Sequence, residues 1–290
     1  MKLVHISDLH FPVRLPFFGL KGKMVPGYLN YSLRRRKKYP LELWQALIED
    51  ISSRKPDAVI ISGDITNVSH YREYHDAFAF LRPLLGENTF MIPGNHDRYT
   101  KRAVAGAEPF YEKFFSRWMG EQVPNTKGYL KWKKIGSMMF IGWDSNQPMS
   151  ILNAYGYVSP EIVQNTIEFL DQKKVKEYIL VCHHPIWNPE HQQESYSHRL
   201  RNRDEIAKLL LARPPLAYLH GHVHSNWIKF PDPTHPYFVV NSASSTRLPD
   251  SHHDSGYHYA ELKSKGLEFH RIVYFPNESK FQEAKAISYS

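Results

Sequence analysis

Short runs of β-branched and aromatic residues alternate with stretches of helical period over the first two thirds of the chain. KLVHI (2–6), DAVIIS (57–62) and NTFMI (88–92) are apolar runs of strand length, each followed by Ser, Gly or Pro, and each predicts a buried strand. Between them, Trp44, Leu47, Ile48 and Ile51 share one face of 41–53, and Tyr74, Phe78, Leu81 and Leu85 share one face of 71–85. Both spacings predict amphipathic helices. Further strands are expected at 137–142 and 177–182, with a helix between them from about Ser159, an N-cap residue followed by Pro160 at the first helical position. The last third turns to strand-like runs: LAYLH, NWIKF, YFVVN, YHYAEL and LEFHRIVYF. This order, βαβα and then β-rich, predicts an α/β fold of two packed sheets flanked by helices. No repeat or linker divides the chain, so one domain over 1–290 is expected.

Composition narrows the class. With 290 residues and 42% hydrophobic content, the chain can bury a sizeable core. Its single cysteine, Cys182, excludes an intrachain disulfide framework and any cysteine-rich zinc module. A metal would have to use His, Asp, Glu or Asn. The start, MKLVHISDLH, has no apolar signal-peptide region, and no run reaches membrane-span length. A cytoplasmic protein, at most attached to the inner face of a membrane, is expected.

The net charge of +8 changes the picture because it is confined to one segment. Residues 9–41 hold no Asp or Glu but contain Arg14, Lys21, Lys23, Arg34, Arg35, Arg36, Lys37 and Lys38. Removing these eight from 37 basic residues leaves 29 against 29 acidic ones. A neutral body with one basic arm implies a localised task for the arm.

The candidate chemistry sits where strands end. KLVHIS leads into Asp8-Leu9-His10, DAVIIS into Gly63-Asp64, NTFMIP into Gly94-Asn95-His96-Asp97, EYILVC into His183, and LAYLH into Gly221-His222-Val223-His224. Asn, Asp and Gly are common turn formers, and any one of these turns alone is unremarkable. Ligands of α/β sheets bind beyond the carboxyl ends of strands, however, so five such turns can converge on one crevice. Their oxygen and imidazole donors, with no thiolate, suit Mn, Fe or Zn. Asp8, His10, Asp64, Asn95, His183, His222 and His224 exceed one ordinary site and suit two metals sharing a carboxylate, roughly 3.5–4 Å apart, a geometry that clamps phosphate and activates water. His96, next to Asn95, is left over for chemistry.

The series Asp8-x-His10, Gly63-Asp64, Gly94-Asn95-His96-Asp97, His183 and Gly221-His222-x-His224 resembles the calcineurin-like metallophosphoesterase family. The resemblance implies a four-layer α/β/β/α sandwich of two mixed sheets flanked by helices, with a dinuclear centre. It implies that Asp8, His10 and His224 bind one metal, that Asn95, His183 and His222 bind the other, and that Asp64 bridges them. It further implies that His96 contacts the scissile phosphate or protonates the leaving oxygen, with Asp97 orienting its ring. Manganese is the expected ion, with iron or zinc as alternatives.

Other residues carry weaker signals. His5, His184 and His220 are read as structural, and Cys182 as inert. Asp144 is either a neighbour of the site or a cap. The polar loop after Pro185 brings Arg199 and Arg201 near a ligand, and either lines the substrate pocket or is solvated; Arg247 is a third candidate for a substrate phosphate. The arm, an insertion at about 11–39, sets Phe11, Val13, Leu15, Phe17, Phe18, Leu20 and further apolar residues before the cluster Arg34-Arg35-Arg36-Lys37-Lys38. These belong to core and solvated surface, to a nucleic-acid arm, or to a membrane contact. Aliphatic residues have no use against nucleic acid, whereas apolar wedges beside Lys and Arg suit an anionic bilayer. Phe17, Phe18, Leu20, Arg34, Arg35 and Arg36 are the expected membrane contacts. Motif and arm together resemble the branch containing UDP-2,3-diacylglucosamine pyrophosphohydrolases of lipid A synthesis, although the better-known lipid A hydrolases carry Arg where His96 stands. The expected activity is hydrolysis of a lipid-linked diphosphate at the membrane, with a soluble cyclic-nucleotide phosphodiesterase as the alternative and a nuclease less favoured.

Overall fold

The computed structural model describes residues 1–251, 253–264 and 266–289, without the side chains of Phe17, Arg34 and Arg35. Two mixed sheets pack face to face. The first has six strands: β1 (Lys2–Ile6), β2 (Ala58–Ile61) and β3 (Thr89–Met91) run parallel, and β11 (Gly256–Lys263), β12 (Gly266–Phe275) and β13 (Lys280–Ala284) extend it antiparallel beyond β1. The second has eight strands. Its parallel centre is β6 (Met138–Trp143), β7 (Tyr178–Cys182), β8 (Ala217–His220) and β10 (Phe238–Asn241). It is flanked by β5 (Leu130–Ile135) and β4 (Glu121–Gln122) on one side, and by β9 (Trp227–Lys229) and β14 (Ser288–Tyr289) on the other.

Alternation along the strands builds the layers. Leu3, Ile60, Phe90 and Ile92 of the first sheet meet Phe140, Ile179, Val181, Leu219 and Val240 of the second. The intervening Val4, Ile6, Val59, Ile61 and Met91 face outward. They pack under Leu43, Trp44 and Leu47 of α2 (Leu41–Arg54), Tyr74 and Leu81 of α3 (Tyr71–Leu81) and, after the one-turn α4 (Lys101–Val104), Tyr111 and Phe115 of α5 (Phe110–Phe115). On the far side, Ile141, Leu180, Cys182 and Tyr218 lie under α6 (Pro160–Gln172) and α7 (Arg203–Leu210). Central strands buried on both faces explain why they read as unbroken apolar runs.

Two boundaries differ from expectation for local reasons. The helix expected to reach residue 85 ends at Leu81 and tightens into a 3-10 turn over Arg82–Leu84, because Pro83 lacks the N–H that would continue it. The segment read as a polar loop over 187–205 already enters α7 at its end, where Asp204 and Glu205 supply the charge a helix N-terminus favours. Ser159 caps α6 as expected, its hydroxyl accepting from the Glu161 N–H.

The arm folds back onto the body. Val13, Leu15, Leu20, Met24, Tyr28 and Tyr31, the last three in and just after α1 (Met24–Asn30), form a small core of their own with Val68. Leu20 is 7% exposed, which removes it from the expected membrane contacts, since packing already supplies its apolar partners. Phe18 is 92% exposed and Leu33 78%. The side chains of Phe17, Arg34 and Arg35 lie outside the described residues. No helix among the described residues is long and apolar enough to cross a membrane.

Candidate metal centre

The five strand-end turns meet at one place. Backbone bonds join the first two, Asp8 N–H to the Gly63 carbonyl at 3.0 Å and His10 N–H to the Asp64 carbonyl at 2.9 Å. The third is tied in by Asp97, whose carboxylate accepts from the N–H groups of Asp64 at 2.9 Å, Thr66 at 3.0 Å and Gly94 at 2.9 Å. Burial and the charge of Asp64 push Asp97 up to about 7, against the pull of these bonds. Glycine is required where turns cross. A Cβ at Gly94 would strike the Asp64 carboxylate, and one at Gly221 would strike Ser7 and Asp8.

The backbone conformation marks the same residues. Asp8, His10, Asp64, His222 and His224 all have positive φ, between 42° and 73°. This left-handed region costs a non-glycine residue on the order of 1 kcal/mol, and such strain gathers at functional sites.

Each buried imidazole is fixed by a bond on its far side. His10 Nδ1 pairs with the Thr66 carbonyl at 2.9 Å and His183 Nδ1 with the Ser62 carbonyl at 2.8 Å, so in the neutral ring each turns Nε2 and its lone pair inward. Asp64 Oδ2 lies 3.8 Å from His10 Nε2 and 3.3 Å from His183 Nε2. His224 Nε2 lies 3.2 Å from Asp8 Oδ1. His222 is turned the other way: Nε2 meets Glu194 at 3.0 Å and the His198 carbonyl at 3.1 Å, which leaves Nδ1 2.9 Å from Asn95 Oδ1. Asn95 Oδ1 is also 3.0 Å from His183 Nε2.

This donor set fits a metal pair. Three acceptors, one amide oxygen and two imidazole nitrogens, converge on a point that a cation would satisfy. Electrostatics points the same way. Burial alone would raise the Asp8 and Asp64 carboxyls, yet His224 holds Asp8, and His183 with His96 and His10 holds Asp64, well below the usual range. Burial likewise opposes the charge on His183, but Asp64 raises it to about 10. Two buried carboxylates thus draw positive charge into the pocket, and bound metals would replace the protons. Asp8, His10 and His224, and Asp8, Asp64 and His183, each bring their ligand atoms within 4.8 Å of one another. So do His10, Asp64 and His96.

His96 stands beside the donors with its Nδ1 2.6 Å from the Asn67 carbonyl and its ring parallel to Tyr99 at 5.8 Å. This corrects one expectation. The Asn67 carbonyl orients the ring, while Asp97 is occupied with backbone N–H groups that shape the turns. Asn67 is itself held by Glu73, whose carboxylate accepts its N–H at 2.9 Å. The three substrate candidates also lie elsewhere. Arg247 is buried and pairs with Asp250 at 2.6 Å. Arg201 lies over the Tyr155 and Tyr196 rings and Arg199 over Tyr196. None of the three lines the cavity above the donors, which measures about 750 Å³. Their loop reaches it through Gln193, Glu194, Ser195 and His198 instead. His184 is buried between Ser145 and the Ala154 carbonyl, His220 meets the Gly221 carbonyl, His5 meets Ser62, and Asp144 pairs with Arg98. Burial raises the Cys182 thiol.

Glu194 has no sequence signature. The charge of His222 holds its carboxylate below the usual range although burial works against it. Carboxylates behind ligating histidines fix ring and tautomer, and losing one costs roughly 10–100-fold in metal affinity. Glu194→Gln should weaken one of two ions by about that factor in chelator competition. Unchanged affinity for both ions would show that the pair is incidental.

A sandwich of two mixed sheets with a histidine- and carboxylate-rich centre beyond its strand ends defines a metallophosphoesterase. The sequence model of the calcineurin-like phosphoesterases matches residues 1–226, and the chain belongs to that family. It is a metal-dependent phosphoesterase whose donor set fits a dinuclear centre. No curated protein matches it in sequence. Among solved structures it is similar to a dimetal phosphatase from Danio rerio (12% identity, 94% of each chain, TM-score 0.61). It is also similar to a purple acid phosphatase from yellow lupin seeds (12% identity, TM-score 0.58), covering 97% of this chain and 52% of that one. A third similar structure is the anchor in the inner membrane complex of Plasmodium (13% identity, 99% and 90% covered, TM-score 0.51). These likenesses bear on the fold; the donor set of this chain carries the chemistry.

Proposed function

We propose that the protein hydrolyses a lipid-linked diphosphate, of the type of UDP-2,3-diacylglucosamine in lipid A synthesis, at the cytoplasmic face of an anionic membrane. The observation that carries this reading is that one segment serves both cavity and surface. The arm lines the cavity through Lys23, Gly27, Asn30 and Tyr31 and also bears exposed Phe18 and Leu33 and the run Arg36-Lys37-Lys38; the segment across from it lines the cavity through exposed Ile151. The two are joined where Lys23 Nζ donates to the Met149 carbonyl at 2.7 Å. Apolar tips beside clustered cations, of which Lys38 meets Asp250 at 3.4 Å, suit headgroups and acyl chains.

Asp8, His10 and His224 would hold one ion and Asn95, His183 and His222 the other, with Asp64 between them. Manganese suits this oxygen- and nitrogen-only set, with iron or zinc as alternatives. When bound, the pair supplies charge neutralisation for phosphate and lowers the pKa of water. The chain's own part is positioning and proton transfer. His96, whose Nδ1–H is committed to the Asn67 carbonyl, acts as the imidazolium, protonated on both nitrogens, so that Nε2 delivers its proton to the leaving oxygen and the ring returns to the neutral form. Asn67 and Tyr99, both on the cavity wall, hold the ring in place.

Changing Phe18 and Leu33 to Ser, or residues 34–36 to Glu, should lower binding to phosphatidylglycerol liposomes. Each cation near such a surface contributes about 1 kcal/mol, so the charge reversal should act most strongly at low salt. Turnover of an acylated UDP-sugar should fall relative to that of bis(p-nitrophenyl) phosphate. If liposome binding and this ratio both persist, the soluble cyclic-nucleotide reading takes first place.

A further inference from the structure

Of the 37 lysines and arginines in the chain, Lys23 is the one that lines the cavity above the donors among the described residues. Its Nζ donates to the Met149 carbonyl at 2.7 Å and sits 3.7 Å from the centroid of the Tyr99 ring. Neither partner carries a full negative charge. Burial lowers the ammonium to about 8, with no carboxylate acting on it. At neutral pH the wall therefore holds a cation partly withdrawn from water and lacking a counter-charge, an arrangement that is costly unless a ligand supplies one.

The surroundings fit an anion. Asn30 and Tyr31 line the same cavity, and the buried Tyr31 hydroxyl has no hydrogen-bond partner among the described residues. Tyr99 links the lysine to the reaction centre, since its ring is parallel to His96. The Met149 bond and the aromatic face hold the ammonium at the wall rather than leaving it to swing into solvent.

We propose that Lys23 receives the second anionic group of the substrate, the phosphate adjoining the one hydrolysed at the metal centre, and so selects diphosphates over single phosphate esters. This deepens the diphosphate reading above and rests on it for the identity of the anion. Arm and centre then act together: the arm that forms one lip of the cavity also reads the group next to the scissile bond.

The test is calorimetric titration of the manganese-loaded protein with uridine monophosphate and with the methylene-bridged analogue of uridine diphosphate, which is not hydrolysed. The wild type should bind the diphosphate analogue at least about tenfold more tightly, the scale of one charge-assisted contact. Lys23→Met, which keeps the length of the stem, should bring the two Kd values to within about threefold, and Lys23→Arg should keep most of the preference. Equal Kd values in the wild type overturn the proposal before any variant is made. A preference that survives in Lys23→Met overturns it too, with Lys23→Gln in its place if the methionine variant does not fold. Failure of the lipid reading leaves a different trace: the preference and its loss in the variant stand, while acylated substrates are turned over no faster than soluble ones.

Discussion

Asp64→Ala should lose both metals together. Its Oδ2 lies 3.8 Å from His10 Nε2 and 3.3 Å from His183 Nε2, so one oxygen faces ligands assigned to both ions, while Oδ1 accepts the His96 N–H at 2.7 Å. Alanine removes a negative donor from each site and the charge that sustains His183. It also releases the turn on which His96 rides. Losing the centre forfeits several kcal/mol of transition-state charge stabilisation, a rate loss on the order of 10³-fold or more. Asp8→Asn, by contrast, should chiefly weaken the ion held with His10 and His224. Metal content of both variants after gel filtration, measured by mass spectrometry, decides the matter. Near-stoichiometric metal in Asp64→Ala would refute the shared role.

His96→Ala should behave in the opposite way, keeping two metals and losing rate. The ring lies close enough to His10 and Asp64 to be mistaken for a ligand, so the two roles need separating by experiment. Acid–base or charge-stabilising help is worth roughly 10²–10⁴-fold, and a loss of that size is expected for an alkyl leaving group. With p-nitrophenolate, which leaves with little protonation, the loss should shrink. Asn67 presents a main-chain carbonyl to the ring, so its own side chain can be changed without removing that partner. A His96→Ala protein that is short of metal, or one fully active on every ester, contradicts the assignment.

Much of the site was legible because its chemistry admits few residue types. Carboxylate, amide and imidazole donors follow strand after strand, with glycine at the crossing points, and Gly94 and Gly221 have no room for a side chain. The strands were legible because burial on both faces leaves continuous apolar runs. What escaped notice has no local signature. The carbonyl that orients His96 belongs to Asn67, and a main-chain atom is the same in every residue. Glu194 resembles any carboxylate of a polar loop until the fold carries it to His222. Arg199 and Arg201 were reasonable candidates by position, but Tyr155 and Tyr196 offer them aromatic faces, an interaction set by tertiary structure alone. In the arm, Leu20 lies in irregular backbone ahead of α1, where no period marks it as core. β5 escaped because the lysines of LKWKKI break its apolar run, although Leu130 and Ile135 at its two ends are buried.

The left-handed backbone at Asp8, His10, Asp64, His222 and His224 bears on anyone who would transplant this centre. Copying seven side chains onto another scaffold transfers the donors without the torsions that aim them, and a ligand misplaced by about 1 Å is a common reason for failed designs. The transferable unit is the set of five strand-end turns with their glycines and the carboxylate of Asp97 that laces two of them. Within such a graft, exchange among Asp, Asn and His is the tolerant direction, because these residues accept positive φ more readily than most. Valine or isoleucine at the same positions would damage the turn before the metal was ever offered.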